Sequence, residues 1–334
     1  MIESALRQTE KREENRAREI NRNGFWALYA KELADSIHSK KFLIILALIA
    51  ITAIGSLYGA LSSLQSQATE LDGDFIFLKL FTSSGNEIPS FVSFISLLGP
   101  LVGLVLGFDA INGERSNGTL SRLVAQPIYR DSIINAKFAS GATVIFIMVF
   151  ALGIIMSGIG LIALGIAPSG EEIVRIIVFL LFTGVYMTFW LGLSILFSIL
   201  CRHAATSALA VIAIWLIFAV FIGLLAGIIA NALYPITDVS PQSDAMSNYE
   251  IAQVINRISP TYLYTEAVST VLDPEIRALG LVTTEQASGA IVGPLPLDQS
   301  LILVWPQLAG LAALTMITFA TSYICFMRQE VRAG

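Results

Sequence analysis

Little in this chain could do covalent chemistry. Its 334 residues hold two histidines, His38 and His203, and two cysteines, Cys201 and Cys325. No H-E-x-x-H or similar ligand cluster is present, so neither a metal site nor a metal-dependent membrane enzyme is indicated. The glycine-rich loop G-x-x-x-x-G-K-[ST], whose amides cradle nucleotide phosphates, is also missing. What the sequence does concentrate is charge and turn residues, in D-A-I-N-G-E-R-S-N-G-T-L-S-R-L-V-A-Q-P-I-Y-R-D-S-I-I-N-A-K from Asp109 to Lys137. The work such a stretch can do is mechanical. Gly118 permits a turn, and Thr119 is placed to cap a short helix over Thr119–Gln126. Leu120, Leu123 and Val124 give that helix an apolar face for a partner's groove. Pro127 closes it, and Asp131 stands where it could cap whatever helix follows. Two turns, about 12 Å, are enough to enter a cleft and pass on rigid-body motion.

The elements that must carry such a lever are apolar. The chain is 55% hydrophobic and 13% charged, against about 25% charged in soluble domains. Six runs are long enough to cross a bilayer, which takes about 20 residues: roughly 42–61, 91–108, 138–167, 173–200, 206–234 and 301–327. The predicted fold is therefore an all-α polytopic membrane protein. Its parts are a tail and interfacial helix at 1–41, the six-span domain at 42–327 and a tail at 328–334. Within the domain, 109–137 forms a cytoplasmic loop and 235–300 an extracytoplasmic one. In the first part, Trp26, Tyr29, Leu33 and Ile37 recur at helical spacing opposite Lys31, Glu32, Asp35 and Ser36, a pattern suited to the membrane interface. Forty polar residues ahead of the first apolar run argue against a cleaved signal peptide.

Basic residues set the orientation. With both termini in the cytoplasm, 16 of the 20 Lys and Arg fall inside, and only Lys79, Arg175, Arg257 and Arg277 fall outside. The cell membrane is the expected location, and both cysteines fall near cytoplasmic helix ends, against a disulfide framework. Outside, helical patterns at 249–258 and 261–272 end at Ser259-Pro260 and Asp273-Pro274 and are expected to cap the membrane helices. The spans, as drawn, contain no interior Asp, Glu, Lys or His, with Arg175 at an edge, which weighs against ion-coupled transport. Ala219, Gly223 and Gly227 repeat at four-residue steps in the fifth span, as do Gly153 and Ser157 in the third. Such faces fit close packing within one subunit or a homodimer seam. The near balance of acids and bases in the first 24 residues weighs against a nucleic-acid arm. Tyr186, Trp190 and Trp215 would suit a lipid or amphiphile as cargo.

At the 109–137 stretch the sequence resembles the cytoplasmic loop of ABC-2 type transporter permeases. The matching residues are Glu114, Gly118, Thr119, Leu120, Pro127, Ile128, Arg130 and Lys137. Y-A-K-E-L-A-D-S-I-H-S-K-K-F resembles the family's interfacial helix, C-R-H-A-A-T-S-A-L-A with Arg202 and His203 its second cytoplasmic loop, and I-S-P-T-Y-L-Y a segment before its last span. Within the family the likeness is to the subgroup of the nitrous-oxide reductase maturation permease. The resemblance implies a permease subunit without its own catalysis, docked through 119–126 on a cytoplasmic ATPase that binds ATP and Mg. It also implies a second permease copy, membrane lipid around the dimer, and export as the direction of work. The residues leave open a scaffold that passes ATPase-driven motion to an extracytoplasmic protein without moving a substrate.

Overall fold

The computed structural model describes residues 24–66, 75–85, 88–126, 128–236, 241–279 and 293–329. The expected polar tail before residue 24, residues 67–74, 86–87, 237–240 and 280–292, Pro127 and the last five residues lie outside them. Helices are the regular elements of the described residues, with no strand among them. Helix α1 covers 24–38 and α2 is Lys40–Ser66; α3 is Lys79–Thr82 and α4 Phe91–Gly107. The 109–137 stretch holds α5, Asn112–Ser116, and α6, Thr119–Val124, before α7, Arg130–Leu164, begins. Then come α8, Gly170–Leu200, and a fifth span made of α9, Ala204–Leu216, a π-turn at Ile217–Phe221, and α10, Ile222–Leu233. Helices α11, Gln242–Asn256, and α12, Pro260–Leu272, precede α13, Leu297–Arg328. All six expected spans are present as helices long and apolar enough to cross a membrane.

Helix α8 is the central post. A tight capping box opens it: Ser169 Oγ accepts the Glu172 amide at 3.2 Å, and Glu172 returns a bond from the Ser169 amide at 2.7 Å. The other Glu172 oxygen accepts the Phe77 amide at 3.0 Å and so seats the α3 segment on α8. Against α4 the two backbones touch: a Cβ at Gly103 would lie 2.5 Å from the Leu191 amide nitrogen. No side chain fits there, which is how small residues let membrane helices pack where water exclusion cannot drive them together. Arg175, near the start of α8, is fully buried. It pairs with Glu171 at 2.8 Å and donates to the Val271 carbonyl at 2.7 Å and to Ser300 Oγ at 3.3 Å, joining α8, α12 and α13.

The 235–300 region corrects the expectation of a cap. Helices α11 and α12 form where the sequence pattern places them, but they fold as a hairpin driven into the bundle. Asn248 donates to Asn231 Oδ1 at 2.9 Å, so α11 descends antiparallel to α10. At the tip, Ser259 donates to the Phe218 carbonyl at 2.8 Å. Phe218 is the fifteenth residue of the 30-residue fifth span, so the tip reaches that span's middle. The π-turn frees a carbonyl from the helical ladder, and the serine satisfies it. Helix α12 then climbs along α8, with Tyr264 stacked on Tyr186 at 4.3 Å and sharing a hydrogen bond with Thr183 at 3.0 Å. The small residues of α10 that pack within the chain are Ala226 and Ala230, both buried, rather than Ala219, Gly223 and Gly227. A Cβ at Gly227 would meet nothing within 4 Å.

Candidate coupling site

The 109–137 stretch is braced at both ends. Ser198 Oγ, near the end of α8, accepts the amides of Ile111 and Asn112 at 2.9 and 3.2 Å, satisfying the start of α5. Gly118 then turns the chain at φ 67°, the left-handed region where glycine is at ease, and serves as the residue before α6. Thr119 is therefore the first residue of α6 rather than its cap. Its hydroxyl is taken by Glu114, which accepts it through both carboxylate and main-chain carbonyl, the latter at 3.1 Å. The helix is six residues long and ends at Val124, before Pro127 is reached. Asp131 does not cap α7 either. Tyr129 precedes the first residue, and Asp131 sits in the first turn, where its charge favours the helix dipole.

The apolar face of α6 turns inward, contrary to the docking face expected. Leu120 is 3% exposed, and Leu123 and Val124 pack against the core. A six-residue helix beside a larger apolar core gains more by covering it than by facing water. What α6 presents outward is Ser121 and Arg122, flanked by Gly118 and by Ala125 and Gln126.

Behind this surface lies a knot of charge. Lys137 is 5% exposed and donates to Glu32 of α1 at 2.9 Å and to Glu114 of α5 at 3.4 Å. Helix α7 starts seven residues before Lys137, so this lysine is inside the third span's helix and not at its margin as expected. Lys31 stands 3.8 Å from Glu114 and 3.4 Å from Asp35. Burial pulls the Lys31 ammonium downward, yet Glu32, Glu114 and Asp35 together outweigh it and hold its pKa above the ordinary lysine value. Lys41 pairs with Asp109 and lies over the Phe108 ring at 4.6 Å. These groups surround a crevice of about 380 Å³ between α1, α5 and α7.

Helix α1 is the second jaw of this knot. Leu28 is buried and the Tyr29 hydroxyl donates to Thr143 of α7 at 2.9 Å, while Trp26 and Ile37 face outward. Gly24 lies so close to Ile128 that a Cβ would come within 2.9 Å of its side chain. Thus α1 touches the stretch near both of its ends.

Arg130 points elsewhere. It donates to the carbonyls of Phe326, at 2.8 Å, and Gln329, and lies over the Phe326 ring at 5.1 Å, capping the end of α13. Gln329 donates in turn to the Ile199 carbonyl at 3.2 Å, beside the turn that carries Arg202 and His203. Both of these are exposed. Two sets of residues escaped sequence reading. Glu32 and Ser198 gave no signal beyond their types. Glu266 of α12 accepts Arg257 at 2.9 and 3.0 Å, Gln253 at 2.9 Å and Gln307 of α13 at 2.7 Å. This places a paired charge among the membrane helices, where none was expected.

The probable ABC transporter permease protein NosY of Stutzerimonas stutzeri is 33% identical over 152 residues, covering 45% of this chain and 48% of that protein. Its counterpart from Pseudomonas aeruginosa is 29% identical over 160 residues, covering 48% of this chain and 52% of its own. The chain thus spans about half the length of these curated relatives. A family model described as ABC-2 family transporter protein matches residues 26–331, from α1 to the end of α13. Because that match takes in all six spans and the braced stretch between the second and third, the chain belongs to the ABC-2 transporter family.

Proposed function

We propose that this chain is the permease subunit of an ATP-driven exporter, moved by a separate cytoplasmic ATPase that binds ATP and Mg and grips the 109–137 stretch. The observation that carries this reading is the Lys137 knot. A push on the outward face of α6 reaches Glu114 through Thr119, and Glu114 and Glu32 share the buried ammonium of α7. Motion of the stretch is therefore motion of a 35-residue span. The curated relatives' printed name, ABC transporter permease, supports the class. Both termini lie in the cytoplasm in this reading, and a second copy of the chain lies along the fifth span. That span exposes Gly223, and only 6% of its apolar 18-residue stretch is buried within one chain.

The grip is tested by Arg122→Glu, which alters the outward face without touching the knot. In vesicles holding the chain and its ATPase, the variant is expected to insert at the wild-type level and to lose permease-stimulated ATP hydrolysis by about tenfold. Undiminished stimulation would remove α6 as the contact. Failure of the tagged wild-type chain to retain any nucleotide-binding subunit would remove the function itself.

A further inference from the structure

The seam between α7 and α8 is closed at one end and open at the other. Toward the 109–137 stretch the helices interlock: a Cβ at Gly153 would lie 2.5 Å from Leu180, and one at Gly184 would lie 2.3 Å from Phe146. Toward the α7–α8 turn they part. The outer end of α7 leans instead on the α3 segment, where a Cβ at Gly160 would meet Leu80 at 2.3 Å, while Gly158 faces open space. The result is a groove of about 530 Å³ floored by Phe77 and Ser157, with walls that include Ile154 and Ile177. Ile154 and Ile177 are exposed in the single chain, so the groove opens sideways from the bundle.

We propose that this groove holds one acyl chain of a phospholipid from the leaflet that contains the α7–α8 turn. Three features select that occupant. The α7 wall runs from Phe150 to Leu161, about 16 Å at the helical rise, and one leaflet contributes half of a hydrocarbon core about 30 Å thick. A volume of 530 Å³ over that length is a slot with a mean cross-section of about 33 Å², wide enough for one extended hydrocarbon chain. The lining is almost wholly hydrocarbon, so the groove favours an aliphatic chain over a polar ligand. The site is independent of the ATPase grip and stands whether or not the chain exports anything.

The full chain is reconstituted in phosphatidylcholine vesicles containing a trace of phosphatidylcholine with a mid-chain diazirine, then photolysed and peptide-mapped. Adducts at Ile154, Gly158 and Ile177 are expected at about ten times the level on the equally exposed α2 residues Ile44, Ile51 and Ile54. Gly158→Trp fills the groove and should return labelling there to the α2 level, leaving α2 itself unchanged. Ser157→Phe does the same from the floor. Labelling spread evenly over both surfaces, or labelling that survives both fillings, overturns the proposal. Protein–protein crosslinks at the groove in place of lipid adducts also overturn it, because they name a second copy as the occupant. Should neither variant reconstitute, the wild-type ratio alone decides.

Discussion

The knot behind α6 centres on a cation, Lys137, held by carboxylates on two other elements; the knot in the hairpin centres on an anion, Glu266, held by Arg257, Gln253 and Gln307. Both join three elements, yet they fail differently. Removing the lysine leaves Glu32 and Glu114 with only the half-exposed Lys31 to hold their like charges together. Removing the Glu266 charge leaves one arginine that is about a third exposed and two neutral amides that can turn to other partners. The first knot is therefore brittle and the second forgiving. That fits a stretch whose parts move as one and a hairpin whose second helix is held by many other buried contacts.

Breaking the brittle knot is expected to have the largest effect. Lys137→Met should cost about 3 kcal/mol, the lower end of the penalty for breaking a buried ion pair, because Lys31 still reaches both carboxylates. The thermal unfolding midpoint in detergent should fall, and α1 should become open to protease. Glu266→Gln, which keeps the shape, is expected to cost about 1–3 kcal/mol in the same melting assay. A loss equal to that of Lys137→Met would reverse the comparison. Gly118→Ala meets open space but keeps the left-handed φ, so the strain alone should cost about 1 kcal/mol. A Gly118→Ala variant with unaltered melting would mean that the turn adapts, and that the lever is softer than its bracing implies.

Much of this architecture is legible in the sequence, for a plain reason. Apolar runs report membrane spans because backbone amides in hydrocarbon must bond within a helix, and each of the six runs became one. The hairpin's two helices were legible from Ser259-Pro260, since the serine caps the second helix by accepting the Tyr262 amide at 3.4 Å. Its depth was not. Gln253, Arg257 and Glu266 read as polar surface, and only folding shows that their partners are each other and a glutamine in the last span. Lys137 was set outside the third span because the apolar run begins one residue later, whereas the helix begins at Arg130. Leu120, Leu123 and Val124 misled for the opposite reason: an apolar stripe shows that a helix has a face to bury, but not on which side the core lies. The same blindness covers the spans themselves. The fifth is more apolar than the fourth, yet 6% of its apolar 18-residue stretch is buried against 78% of the corresponding stretch of the fourth, where glycines and hydroxyls meet their neighbours.

Arg175, buried, and Arg130, half-buried, also fix a length. Arg175 fastens α13 at Ser300, and Arg130 fastens it at Phe326. Those points are separated by about 39 Å of helix at the α-helical rise, close to a hydrocarbon core of about 30 Å plus part of each headgroup layer. A span pinned at both ends to its neighbours cannot tilt on its own to absorb a thicker or thinner bilayer. Mismatch must then be met by the surrounding lipid, which stretches or thins at the protein's edge. In that sense the guanidinium pair acts as a gauge, setting the bilayer thickness in which this bundle sits without strain.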